Sequence, residues 1–273
     1  MAESSIEFLP SFEARPKITN VVFDFDGTVS ILRQGWQYTM QRMFLEILPQ
    51  REGSDHEALK TELFTEILGF NGKQPIHQMR AFAERVASEG QGALTGEEYL
   101  KDYAQRLRAE IDQRIERIRN GLAIDDEYVV HQARKVLDLM RAKGLRISLL
   151  SGTNEDFVRE EAELLGLTDY FNAGIFGGTK DPTKFSKEAV YDRIMRDEGI
   201  AGENLLSIGD GPVEIRITKE LKGLAVAVAS DELDNGSGRV HPEKRQVLVD
   251  AGADVVIPDY RDAGELMQKI FQS

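Results

Sequence analysis

Short apolar runs alternate with amphipathic stretches along most of the chain. Residues 18–25 read Ile-Thr-Asn-Val-Val-Phe-Asp-Phe, a β-branched and aromatic run that predicts a buried strand. Runs of the same texture recur at 146–150, 171–176, 204–208, 224–228 and 254–257. Helical patterns separate them. Residues 127–143 place Val129, Val130, Ala133, Val136, Leu137 and Met140 on a helical period, and Gly144 follows as a stop. Residues 154–165 open on Asn154, a good N-cap, and end at Gly166. Further helices are expected at 187–198, 213–222, 242–251 and 262–271. Strands alternating with helices predict an α/β fold whose three-layer core has a parallel sheet covered on both faces.

The stretch 31–120 has a different texture. Its helical patterns, at 34–48, 55–68, 75–88 and 97–118, are broken at Gly53, at Gly69-Phe70-Asn71-Gly72 and over 90–96, with no strand between them. A lone strand before residue 30 needs a sheet to join, which favours an inserted helical unit over an independent helical domain. The expected division is a core of residues 1–30 and 121–273 and a helical cap of 31–120.

Composition narrows the chemistry. Of 273 residues, 41% are hydrophobic and 30% charged, as in ordinary soluble proteins. With no cysteine, disulfides, thiolate metal sites and cysteine nucleophiles are excluded. That usage fits a reducing compartment, and no signal-like or membrane-spanning run is evident, so a cytoplasmic protein is expected. The net charge of −13 disfavours nucleic acid and anionic membranes as partners. It also means that a site for an anionic substrate must supply its own local positive charge.

Asp24 and Asp26 stand at the C-terminal end of the first predicted strand, the edge where open α/β sheets bind ligands. Alternation puts both side chains on one side, and Gly27 lets the chain turn away. With no lysine or arginine beside them in sequence, two such carboxylates call for a hard cation such as Mg²⁺. A carboxylate can also attack phosphorus, and a second can move protons. Asp-Gly is equally a common turn signal. A calcium loop is disfavoured because its final position would fall on Gly35 instead of glutamate.

Three later stations repeat the pattern of polar groups at strand ends. Ser151-Gly152-Thr153 offers a hydroxyl and backbone N–H groups as a phosphate cradle, although Ser151 alone serves as well as a helix cap. Lys187 opens a predicted helix and Lys184 lies one turn earlier; either can supply the positive charge. Gly209-Asp210-Gly211-Pro212-Val213-Glu214 follows the run 204–208, with Glu214 one turn into the next helix.

Together Asp24-Phe25-Asp26-Gly27-Thr28, Ser151, a lysine and Asp210 resemble, in order, the four motifs of the haloacid dehalogenase-like superfamily. The resemblance implies a Rossmann-like core, a helical cap between the first and second motifs, Mg²⁺ as cofactor and a small phosphorylated substrate. It implies Asp24 as nucleophile, Asp26 as acid and base, and Ser151 with Lys187 or Lys184 on the phosphoryl oxygens. The metal would be held by Asp24, the Asp26 carbonyl and Asp210, with Glu214 holding the lysine or a metal-bound water. Thr28, Gly152, Thr153, Arg33 and Lys73 complete the expected substrate-binding set, and His77 is a further cap candidate. An acid at Asp26 fits phosphatases and phosphomutases and excludes the dehalogenase branch. A phosphatase acting on a small metabolite, such as a sugar phosphate, is the leading expectation. A mutase of the β-phosphoglucomutase type and a non-catalytic phosphate-binding regulator are its rivals. The basic run 239–245 is expected on the surface, and the loop 230–238 is expected to be mobile.

Overall fold

The structure, a computed structural model, describes residues 5–48, 56–70, 73–90, 92, 94–124, 126–179 and 184–272. Gly53, Asp55, Asn71, Gly72, Gln91, Ala93 and the segment 180–183 lie outside the described residues. Among the described residues, seven strands form one sheet: β1 (Glu7–Phe8), β2 (Asn20–Phe23), β3 (Arg146–Asn154), β4 (Gly174–Gly178), β5 (Leu205–Gly209), β6 (Leu224–Val228) and β7 (Val255–Ile257). Their order is β1-β7-β6-β5-β2-β3-β4, and all pairs are parallel except β1 on β7. β1 escaped the sequence pattern because two residues carry no periodicity.

Alternation along the strands sorts side chains between two helical layers. Val21, Phe23, Ile147, Leu149, Ile208 and Val226 pack toward α5 (Ala133–Ala142), α6 (Glu155–Leu164) and α10 (Ala263–Phe271). Val22, Leu150 and Leu205 pack the other way, onto α7 (Lys187–Glu198) and α8 (Pro212–Glu220). Ala225, Ala227 and Val256 meet α9 (Pro242–Asp250) on that same side. The alanines of β6 leave room for that close helix. β2 lies between β5 and β3 and all four of its residues are buried, so the residues just after it emerge mid-edge.

Between β2 and β3 come α1 (Trp36–Ile47), α2 (His56–Gly69), α3 (Pro75–Ser88) and α4 (Gly96–Arg119). α1 packs on α2, and α3 on α4. Phe44 stacks on Phe82 at 3.7 Å between ring centroids, and Tyr99 meets Phe82 edge-on. α4 starts with a capping box, Thr95 and Glu98 each bonding the other's backbone N–H.

The helix expected over 127–143 begins only at Ala133. Asp126 and Gln132 take left-handed φ values of 63° and 62°, and the residues between them form a strap. Ile31 N–H donates to Tyr128 O, and Val130 N–H to Val29 O, both at 2.9 Å. Backbone pairing with the chain leaving β2 outweighs the helical period of the apolar residues there. The strand expected over 171–176 sits slightly later, at Gly174–Gly178. β3 runs on to Asn154, with an irregularity between Leu150 and Asn154, so Ser151–Thr153 lie within the distorted strand end.

Candidate active site

Asp24 extends the β2 ladder by one bond, its N–H donating to Ile208 O at 2.9 Å. The chain then folds into a tight loop in which Val29 and Ser30 N–H both bond to Phe25 O. Gly27 sits in that loop at φ 74°, and a Cβ there would lie 2.2 Å from Asp210 Oδ2. Position 27 therefore requires glycine for its backbone and again for its neighbour. Two distant donors hold the loop: Ser230 Oγ bonds Gly27 O at 3.2 Å, and Tyr260 Oη bonds Thr28 O at 2.9 Å.

Lys187, the first residue of α7, is 3% exposed. Its Nζ lies 3.0 Å from Asp24 Oδ1 and 3.1 Å from Glu214 Oε2. Glu214 is the third residue of α8, and its other oxygen accepts from Gly211 N–H at 2.7 Å. Glu214 thus bonds the lysine through one oxygen and the helix start through the other. Burial opposes the Lys187 charge, but Asp24 and Glu214 more than reverse that and raise its pKa above the usual lysine value. Lys184 is exposed, so of the two lysines only Lys187 is brought onto Asp24.

The Asp26 carboxylate faces another way. Its Oδ2 accepts from Thr153 Oγ1 at 2.9 Å and from Ser151 Oγ at 3.3 Å. Ser151 Oγ in turn accepts from Thr153 N–H at 3.0 Å. Asp26 Oδ1 lies 3.5 Å from Arg33 Nε. Arg33 is engaged by Glu161 of α6, with Nε–Oε2 3.1 Å and Nη2–Oε1 2.5 Å. Both carboxylates therefore have cationic partners that the local sequence did not show. Gly178, beside Gly152 O, leaves room for Gln74 at the start of α3, whose Nε2 donates to Thr179 O at 3.4 Å.

Other expected substrate contacts stand apart from this cluster. Thr28 is fully buried, so its side chain meets no open space. Lys73 is exposed and rests over the Phe70 ring at 5.4 Å, and His77 is exposed on α3.

Two neighbours correct the expectation for the C-terminal third. Lys244 belongs to the basic run read as surface, yet it is only 5% exposed. Its Nζ lies 3.1 Å from Asp210 Oδ2 and bonds Glu232 Oε1 as well. The polar loop after β6, read as mobile, buries Ser230 and Glu232 against the site. Lys244 shares one face of α9 with Leu248, four residues on, which is buried at 1%. That shared spacing is the signal in the sequence that marks this lysine as inward-facing.

Four buried carboxylates, Asp24, Asp210, Glu214 and Glu232, share this space with two buried ammoniums, Lys187 and Lys244. Fully ionised, the cluster has an excess of two negative charges, which one divalent cation offsets. The deficit shows in the acids themselves. Burial above all, with Glu214 and Asp26 adding repulsion, pushes Asp24 up to about 7 in spite of Lys187. Burial likewise pushes Asp210 up to about 7, with Asp24 and Glu232 adding to it against Lys244. Asp24, Asp210 and Glu214 can each offer an oxygen within 4.8 Å of the others. An oxygen-only donor set of this charge fits a hard cation.

A family model described as haloacid dehalogenase-like hydrolase matches residues 18–221. The chain belongs to that family. The match starts with β2 and ends just past α8, so it contains Asp24, Ser151, Lys187 and Asp210. No curated protein matches the chain. Among solved structures it is similar to a predicted phosphoglycolate phosphatase from Haemophilus somnus 129Pt, at 14% identity and TM-score 0.60, covering 92% of this chain and 99% of that one. A predicted phosphatase from Clostridium acetobutylicum gives 15% and 0.60, covering 92% and 99%. β-Phosphoglucomutase from Clostridium difficile gives 15% and 0.58, covering 93% and 97%. At such identities these likenesses concern the fold, and they extend it to the helical segment between β2 and β3. Among the described residues, no helix of this haloacid dehalogenase-like protein is long and apolar enough to cross a membrane.

Proposed function

We propose that the protein is a Mg²⁺-dependent phosphohydrolase of small phosphorylated metabolites that works through an aspartyl-phosphate on Asp24. The observation that carries this reading is the division of labour between the two aspartates. Asp24 is buried against one ammonium beside Asp210, while Asp26 is pinned by two hydroxyls and an arginine. One carboxylate is thereby set up for attack and the other for moving protons.

Asp24 attacks phosphorus and the bond to the leaving oxygen breaks. Asp26 gives its proton to that oxygen. Asp26 then takes a proton from the water that attacks the aspartyl-phosphate, which releases phosphate and restores Asp24. Lys187 orients Asp24 Oδ1 and offsets charge on the phosphoryl oxygens, and Ser151 donates to one of them. Asp24 and Asp210, with the Asp26 carbonyl, would hold Mg²⁺, which supplies further charge neutralisation at the phosphoryl group. The segment 31–120 acts as a cap on the core of 1–30 and 121–273, excluding bulk water from the leaving group.

Hydrolysis of p-nitrophenyl phosphate and of a panel of phosphorylated metabolites, with and without Mg²⁺, tests the reading. Asp24→Asn should keep the fold by circular dichroism and lose turnover. Retention of more than a trace of activity in that variant would remove Asp24 as the nucleophile. Efficient isomerisation of a hexose phosphate with slow hydrolysis would assign the same site to a mutase.

A further inference from the structure

Lys244 is the feature of the site that the four stations do not account for. It comes from α9, beyond the residues that the family model matches. A buried lysine is costly unless its charge is met, and here Asp210 and Glu232 both meet it. Glu232 Oε1 also accepts from Gln37 Nε2 of α1 at 3.4 Å. The same oxygen would lie 3.2 Å from a Cβ at Gly27, so Glu232 lies beside the loop that carries Asp24 and Asp26. A continuous polar chain therefore runs from cap helix α1 through Glu232 and Lys244 to Asp210.

The surroundings hold this chain in place. The Lys244 backbone N–H is capped by His241 Nδ1 at 3.4 Å, and Leu248 anchors the same face of α9. On the cap side, Tyr38 and Phe64 stack at 5.1 Å, and α2 packs on α9. A cavity of about 260 Å³ opens where these elements meet, with Gln37, Glu232 and Lys244 in its wall. Asp210 thus leans on a support built from α1 and the C-terminal third.

We infer that Lys244, held by Glu232, is a positioning residue for Asp210, and that Gln37 ties this positioning to the cap. Lys244 fixes one oxygen of Asp210 and so sets the direction of the other. Without the ammonium, Asp210 and Glu232 are left as two carboxylates that repel and turn apart. Without the Glu232 charge, the whole ammonium falls on Asp210 and opposes a second cation there. Either change weakens the hold on a metal without touching the phosphoryl donors Ser151 and Lys187. The inference rests on the reading of Asp24 and Asp210 as the reaction centre.

The test compares wild type with Lys244→Met, Glu232→Gln and Gln37→Leu. Folding is checked by circular dichroism. Mg²⁺ binding is measured by calorimetric titration without substrate, and kcat and KM are measured with p-nitrophenyl phosphate. Lys244→Met and Glu232→Gln should raise the Mg²⁺ dissociation constant by about tenfold or more and lower kcat. KM at saturating Mg²⁺ should change less than about threefold, because the phosphoryl donors are intact. Gln37→Leu should shift Mg²⁺ binding in the same direction by less. If Lys244→Met does not fold, Glu232→Gln, which keeps shape and volume, decides the matter. Folded variants with wild-type Mg²⁺ affinity and kcat would reduce the pair to packing and overturn the inference alone. A wild type that neither binds Mg²⁺ nor hydrolyses any phosphate would remove the functional reading as well.

Discussion

Gly27 combines a positive φ of 74° with an approach that would bring a methyl group within 2.2 Å of Asp210 Oδ2. Gly27→Ala should therefore strain the backbone by about 1–2 kcal/mol and also displace Asp210. The expected outcome is a lower urea midpoint and a loss of turnover larger than the stability change alone explains. Arg33 makes a different argument. Its partner Glu161 is 2% exposed, and burial above all raises the Glu161 pKa, with Arg33 acting against it. Arg33→Met alone should cost about 3 kcal/mol or more by leaving that carboxylate unpaired. The double change Arg33→Met with Glu161→Met should recover most of the stability. If Arg33 also orients Asp26, whose Oδ1 is 3.5 Å away, the stable double variant will still show a reduced kcat. Denaturant melts beside steady-state kinetics separate the two effects. Full activity in the double variant would confine Arg33 to stability.

At the level of elements, sequence and structure agree where local signals and tertiary demands coincide. The sequence marks Asn154 as an N-cap, and its Oδ1 accepts from Asp156 N–H at 3.0 Å. Asn154→Ala should lower stability by about 1 kcal/mol, and Asn154→Asp should keep most of it, as urea melts can check. The strap of residues 127–132 disagrees because its apolar residues satisfy two patterns at once. Val129 and Val130 fit a helical period, yet Tyr128 O and Val130 N–H bond the segment leaving β2, and left-handed residues at both ends close the alternative. Lys187 opens the predicted helix and is the favoured lysine over Lys184, and the docking of α7 on the sheet brings Lys187 to Asp24. Lys244 and Glu232, by contrast, were missed. Each lies far from Asp24 in sequence and is brought to Asp210 by the return of the chain after β6. Motif spacing follows single strand ends, whereas this support is assembled from three separate elements.

For the whole molecule, the buried acidic cluster links stability, pH and metal. Asp24 and Asp210 have an ordinary value of 3.8, and burial pushes both up to about 7 in the folded protein. A folded-state value above the unfolded one means that the native state binds more protons between those limits. The stability these two groups contribute is fully present below about pH 4 and is lost as the pH rises through about 7. A divalent cation acts in the opposite sense, because it binds the ionised carboxylates and must displace any protons on them. The rise in Tm on adding Mg²⁺ should therefore be small near pH 5 and grow steadily toward pH 8. Melts at matched ionic strength isolate this term from screening of the surface, whose net charge of −13 attracts any cation. Asp210→Asn should flatten the pH dependence of the Mg²⁺ increment, since it removes one titrating carboxylate and leaves Lys244 facing a neutral amide. An increment that is constant across that range in the wild type would mean that Mg²⁺ binds elsewhere on the acidic surface. The balance of two ammoniums against four carboxylates would then have to be met by protons instead of a metal.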